Sequence, residues 1–243
     1  MINSTCFLGA RIKTVILAGG LGTRISEETD NKPKPMVLIG EKPILWHVMN
    51  IYAKQGFRDF VIAAGYRAEA IQEWVFEIEE DWNVCVLDTG LNTQTGGRIK
   101  RCMETFPDSR FFVTYGDGLG NINLSKLLST HESNKLLATV TAVRPPARFG
   151  VLEIENEIVK HFGEKPQTEA GWINGGFFVL ERGVKDFIVD DSVLFETGPM
   201  PELASINQLS AYRHLDFWKP MDTLREKREL EELAKTIPYP WLL

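Results

Sequence analysis

The chain has 243 residues, 44% of them hydrophobic and 25% charged, with 27 Lys and Arg against 33 Asp and Glu for a net charge of −6. That length suits one sizeable α/β core or two small domains. The acidic balance argues against general attraction to nucleic acid, and no apolar run approaches the roughly 20 residues of a membrane span. Met1 to Arg11 lacks the charged start and apolar centre of a signal peptide and reads as an extension ahead of the first strand.

The first half alternates strand and helix. Thr14 to Ala18 is an apolar run expected as a buried strand. Ile44, Leu45, Val48, Met49 and Tyr52 fall at helical spacing, and Gly56 closes that helix. Phe60 to Ala64 reads as a second strand, Ala68 to Glu79 as a helix, and Val84 to Leu87 as a third strand. Ile99 to Thr105 follows as a short helix and Phe111 to Tyr115 as a fourth strand. Strands alternating with helices imply βαβ units and a parallel sheet. The second half changes rhythm. Leu137 to Val143, Val151 to Ile154, Ile158 to Phe162 and Gly176 to Leu180 are strand-like with short connections. They predict a mixed or antiparallel extension of the same sheet. A charged helix, Thr223 to Lys235, closes the chain. Without a linker, repeat or low-complexity segment, 13–243 reads as one domain behind the extension 1–12.

Cys6, Cys85 and Cys102 have neither paired nor metal-type spacing, so free thiols in a reducing cytoplasm are expected. His47, His131, His161 and His214 are scattered without a zinc-type spacing and read as structural.

The segment Leu17-Ala18-Gly19-Gly20-Leu21-Gly22-Thr23-Arg24, followed by Lys32-Pro33-Lys34-Pro35-Met36, carries the strongest chemical signal. Glycines let backbone N–H groups approach phosphate oxygens, and Arg24 and Lys34 supply neutralising charge. The spacing is not a dinucleotide fingerprint, since Ile25 stands where the last glycine belongs and Ala63, Ala64 and Gly65 stand where the ribose-binding acid is expected. Nor is it a P-loop, which needs Gly-Lys-Ser or Gly-Lys-Thr. Ligands of parallel sheets bind beyond the strands' carboxyl ends, and Tyr115-Gly116-Asp117-Gly118 ends the fourth strand there. Asp117 reads equally as a Mg²⁺ ligand or a turn aspartate. Asp222 precedes the last helix, and the residues alone favour a helix cap. Lys165 reads as a surface lysine or a second phosphate contact. Trp172, Phe177 and Phe178 read as core or pocket walls.

Taken together, these segments resemble the sugar-phosphate nucleotidylyltransferases, from about Lys13 to Trp241. The glycine loop marks the superfamily, and Ser26-Glu27-Glu28-Thr29, Pro43-Ile44-Leu45-Trp46-His47, Asp88-Thr89-Gly90, Arg148-Phe149-Gly150 and Glu164-Lys165-Pro166 carry the resemblance further. Thr95-Gly96-Gly97-Arg98, Trp172-Ile173-Asn174-Gly175-Gly176 and Trp218-Lys219-Pro220-Met221-Asp222-Thr223 resemble its cytidylyl branch.

The resemblance implies a glycosyltransferase-A-like, Rossmann-type α/β fold with a mixed sheet flanked by helices. The nucleotide part would be about 13–136 and the acceptor part about 137–243. It implies an enzyme that moves CMP from CTP to a sugar 1-phosphate, glucose 1-phosphate foremost, with Mg²⁺, as a cytoplasmic homo-oligomer. Leu17, Ala18, Gly19, Gly20, Gly22, Thr23, Arg24, Thr93, Gly97, Arg98 and Gly116 would hold the nucleotide. Arg24, Lys34, Asp117 and Lys165 would carry catalysis, and Asp117 and Asp222 would hold the metal. Lys165, Trp172, Asn174 and Gly175 would meet the acceptor.

Other acceptors, UTP or dTTP in place of CTP, and a non-catalytic nucleotide-binding regulator are the alternatives. The chain departs from the family where Phe76 passes through Glu80 and Asp81 directly to Val84, a stretch that is longer in its members. It departs again at Gly198-Pro199-Met200-Pro201-Glu202-Leu203, where the inserted proline is expected to reshape a helix start.

Overall fold

The computed structural model describes residues 12–30, 32–145, 151–163 and 171–242, excluding the side chains of 151–154 and 161–163. The first half runs β1 (Lys13–Leu17), α1 (Ser26–Thr29), β2 (Leu38–Ile39), β3 (Lys42–Pro43), α2 (Ile44–Ala53), β4 (Asp59–Ala64), α3 (Ala68–Glu77) and β5 (Asn83–Asp88). Then come α4 (Thr95–Met103), β6 (Arg110–Tyr115), β7 (Gly118–Gly120), α5 (Leu124–Asn134), β8 (Ala138–Val143), β9 (Val151–Glu155) and β10 (Ile158–Gly163). The remainder is β11 (Ile173–Glu181), α6 (Pro199–Ser205), β12 (Leu209–Arg213), β13 (Trp218–Pro220) and α7 (Leu224–Leu233).

Seven strands form one sheet in the order β12-β8-β11-β6-β1-β4-β5. Its central strands are apolar without a polar face because both faces are covered, while the edge strands β5 and β12 are partly exposed. Ile16, Phe60, Ile62, Phe112, Phe177 and Val179 point into one core with α2, α3, α5 and α7. Their neighbours Val15, Val61, Phe111, Val113, Phe178 and Leu180 point into the other with α4 and α6.

β1 pairs in parallel with β4 on one side and β6 on the other, so the chain reverses its winding at β1. Ligands of α/β sheets bind at such a switch point. β11 alone runs against its neighbours, being antiparallel to both β6 and β8. The amino end of β11 therefore lies at the same sheet edge as the carboxyl ends of β1, β6 and β8.

Several expectations need correction. α4 begins at Thr95, not Ile99. Gly96 and Gly97 sit in its first turn because the loop after Asp190 presses on it; a Cβ on them would stand 2.7 Å from the Val193 oxygen and 2.6 Å from the Asp191 Cα. β9 and β10 form their own two-stranded ribbon rather than extending the sheet. The extension instead includes β12, parallel to β8, whose half-exposed and exposed residues carry no apolar run to read. β11 starts at Ile173 because Asn174 still pairs with Ala142 before the register shifts. Gly176 takes φ +80° within that shift, and a Cβ there would lie 2.6 Å from the Tyr115 ring. Pro199 opens α6 in its first turn, after Gly198. His47 and His131 are buried and hydrogen-bonded within the core, and among the described residues Cys85 and Cys102 form no disulfide.

Candidate active site

A cavity of about 740 Å³ opens at the switch point, lined by the glycine loop, the β6–β7 turn, the amino end of β11 and Asp222. β1 delivers Leu17 and Ala18 to its floor, and Gly116 donates its N–H to the Leu17 oxygen at 3.0 Å. A Cβ on Gly116 would stand 3.0 Å from that oxygen, which explains glycine there. Gly22 takes φ +67° and turns the loop into the short 3-10 turn Thr23–Ile25. Among the described residues, none of the N–H groups of Gly19, Gly20, Leu21 and Gly22 donates a hydrogen bond. Gly20 is exposed, with open space where a Cβ would stand. Uncommitted backbone donors beside glycines make a concavity suited to an anion.

Arg98 organises this loop from below. It is 4% exposed. Its guanidinium donates to Ala64 O at 2.9 Å, Gly19 O at 3.0 Å, Leu91 O at 3.3 Å and the Thr89 hydroxyl. It thereby ties the ends of β1, β4 and β5 together while facing the cavity. Burial lowers its pKa, yet the group stays a cation. Thr93 donates to the Thr89 oxygen and lines the same wall.

The acids meet through a β ribbon. β13 pairs antiparallel with β7, Pro220 opposite Gly118, and Met221 donates its N–H to the Asp117 oxygen at 2.8 Å. Asp117 and Asp222 thus face each other although far apart in the chain. Lys34 enters from the Pro-stiffened turn Lys34–Met36. Its ammonium donates to Asp117 Oδ2 at 2.6 Å and Asp222 Oδ1 at 2.9 Å. Arg24 Nη1 lies 2.9 Å from Asp222 Oδ2. Burial would lower the Lys34 pKa, but Asp117 and Asp222 outweigh it and hold the ammonium protonated. Burial would likewise raise Asp222, but Lys34 and Arg24 depress it.

Asp222 is not the cap of α7. Thr223 is, accepting from Glu226 N at 3.2 Å, while the Glu226 carboxylate takes the N–H groups of Asp222 and Thr223. Two carboxylates converging on one cation fit Mg²⁺, which takes one or two carboxylates and completes its shell with phosphate oxygens and water.

The opposite wall of the cavity is built around Tyr115. Its hydroxyl donates to Glu196 Oε1 at 2.6 Å and accepts from Asn174 Nδ2 at 3.2 Å. Burial, reinforced by Glu196, pushes the Tyr115 pKa up. Thr95 donates to the other Glu196 oxygen at 2.7 Å, and Trp218 donates to the Gly175 oxygen at 2.7 Å. Glu196 and Trp218 line the cavity; neither was among the candidates, because Glu196 lies in no quoted motif and Trp218 stood only as part of a longer one.

Of the candidate residues, Leu17, Ala18, Gly19, Gly20, Gly22, Thr23, Arg24, Lys34, Thr93, Arg98, Gly116, Asp117, Asn174, Gly175 and Asp222 line this one cavity. Gly97 does not, lying under Asp191. Trp172 lies outside the lining, its ring between Arg144, 4.6 Å away, and Arg213, 5.6 Å away. Lys165 falls outside the described residues.

A mixed three-layer sheet whose switch point carries an anion-ready glycine loop beside a paired-acid cation site defines a nucleotide-handling transferase. The nucleotidyl transferase family model matches residues 13–218, and the chain belongs to that family. It is 44% identical over 253 aligned positions to the glucose-1-phosphate cytidylyltransferase of Salmonella typhi, covering 95% of this chain and 98% of the relative. A probable glucose-1-phosphate cytidylyltransferase of Bacillus subtilis is 40% identical, with 95% and 99% covered. The crystal structure of HddC from Yersinia pseudotuberculosis complexed with GMP-PN superposes with a TM-score of 0.74 at 25% identity, covering 91% of this chain and 98% of that one. The 253 aligned positions exceed the 243 residues here, so the Salmonella relative carries residues that this chain lacks.

Proposed function

We propose that this enzyme transfers CMP from CTP to glucose 1-phosphate, releasing pyrophosphate and making CDP-glucose. The observation that supports it most is the Asp117–Lys34–Asp222 bridge beside the uncommitted N–H groups of the glycine loop. The high identity to glucose-1-phosphate cytidylyltransferases points to the nucleotide and the acceptor.

The loop from Gly19 to Thr23 and Arg24 would take the triphosphate oxygens. Leu17, Ala18, Thr93, Arg98 and Gly116 would wall the nucleotide, with Gly97 behind them. Asn174 and Gly175, with Lys165 and Trp172, would meet the acceptor in the half 137–243. The acceptor phosphate is already a nucleophile, so attack in line on the α-phosphorus needs no general base. Catalysis then rests on positioning and on charge neutralisation by Arg24, Lys34 and Lys165. Mg²⁺ held by Asp117 and Asp222 would supply further neutralisation of phosphate charge when bound.

No helix among the described residues is long and apolar enough to cross a membrane. A cytoplasmic homo-oligomer completes the reading, to be checked by light scattering on the eluted protein. The primary test is pyrophosphate release with Mg²⁺ and CTP, with and without glucose 1-phosphate, beside UTP and dTTP. Acceptor-dependent release with CTP alone supports the reading. Release only with another nucleotide or acceptor, or none despite CTP binding, rejects it.

A further inference from the structure

We propose that Lys34 is an internal counter-ion which occupies the cation site of the empty enzyme, so that a divalent metal enters only by exchange with it. The proposal rests on the reading of Asp117 and Asp222 as metal ligands. The Lys34 nitrogen lies within hydrogen-bond distance of both carboxylates, 2.6 Å from one and 2.9 Å from the other. A metal held by Asp117 and Asp222 would need the space that this nitrogen fills. The side chain is 11% exposed, so it is packed there rather than sampling solvent.

Charge reinforces geometry. Two carboxylates face two cations, Lys34 and Arg24, and the cluster is neutral as it stands. A divalent cation entering alone would add two charges to a part-buried site while leaving Lys34 without its partners. That combination is opposed by both repulsion and desolvation. A triphosphate arriving on the glycine loop reverses the balance. Its oxygens offer the displaced ammonium a new anion, and its negative charge offsets the metal. Metal and nucleotide are therefore coupled through Lys34, and by linkage each raises the affinity for the other. The same movement would bring the Lys34 ammonium onto phosphate only once metal holds the acids. Lys34 then keeps the metal out of the nucleotide-free site and contacts phosphate once the metal is in.

The test is Mn²⁺ binding to the full chain without nucleotide, by calorimetry and by electron paramagnetic resonance. Lys34→Met is expected to bind Mn²⁺ at least tenfold tighter than the unaltered protein. Its melting midpoint should also rise further with Mn²⁺. Lys34→Gln keeps a hydrogen-bond donor without the charge and should gain in the same direction, which covers a folding failure of the Met variant. Asp117→Asn placed on either variant should abolish the gain. Equal or weaker Mn²⁺ binding by both Lys34 variants overturns the proposal. Pyrophosphate release by the unaltered enzyme is scored separately. Turnover without a gain in the variants rejects exchange and leaves the function standing; a gain without turnover upholds exchange and rejects the substrate reading.

Discussion

Gly19→Ala probes the link between the phosphate loop and its buried arginine. Gly19 has no positive φ, so alanine suits its backbone. The obstacle is steric: a Cβ there would stand 2.1 Å from Arg98 Nη1 and 2.2 Å from Cζ. A guanidinium can usually retreat, but this one is held by Gly19 O, Ala64 O, Leu91 O and Thr89. Retreat surrenders at least the bonds to Gly19 and Ala64, each charge-assisted and worth about 1.5–3 kcal/mol. The expected loss is about 3 kcal/mol, roughly a hundredfold in the folding equilibrium. In an Arg98→Met background the clashing group is gone, and the same alanine should cost less than about 1 kcal/mol. Urea denaturation of the unaltered protein, both single variants and the double variant gives the cycle. Equal cost of the alanine in both backgrounds would refute the claim that Arg98 dictates the glycine.

Thr223→Ala should lower stability by about 1 kcal/mol while leaving turnover unchanged, because Thr223 and not Asp222 caps α7; urea midpoints and pyrophosphate release measure the two effects. Asp222→Asn should do the reverse, cutting turnover by about a hundredfold or more, as expected for loss of charge stabilisation at phosphoryl transfer. Asp117→Asn should behave likewise, and normal turnover in either would remove that residue from the site. His47 is pressed into the core between the Ile39 oxygen, 2.9 Å away, and the Trp241 indole. Burial lowers its pKa from 6.5 to about 4. The unfolded chain therefore binds this proton first as pH falls. The stability is fully present above pH 6.5 and is lost progressively toward pH 4, by up to about 3 kcal/mol. His47→Gln should flatten this part of the stability profile, and an unchanged slope between pH 6.5 and 4 would contradict it.

Periodicity was enough to reveal the main strands and helices of the first βαβ half, because those elements carry their own hydrophobic signatures, while the short α1, β2 and β3 carry none. The run Lys13–Leu17 is entirely buried, and the helix 44–53 shows its apolar spacing plainly. The glycine loop was legible for the same local reason, since glycines and cations stand in one short segment. The sheet order was not local. β12 joins an edge with half-exposed and exposed residues, and β9–β10 read as sheet strands although among the described residues they pair with each other and not with the sheet. Asp222 looked like a cap because its neighbours spell one; only the pairing of β7 with β13 turns it onto Lys34. Arg98 likewise read as a nucleotide contact, while its hydrogen bonds to Gly19, Ala64 and Thr89 make it the support of the loop as well. The sequence by itself determined the chemistry available, as residue types at short spacing. The tertiary structure decided which distant acids share one cation, because long-range strand pairing and burial bring them within bonding distance and set their charge.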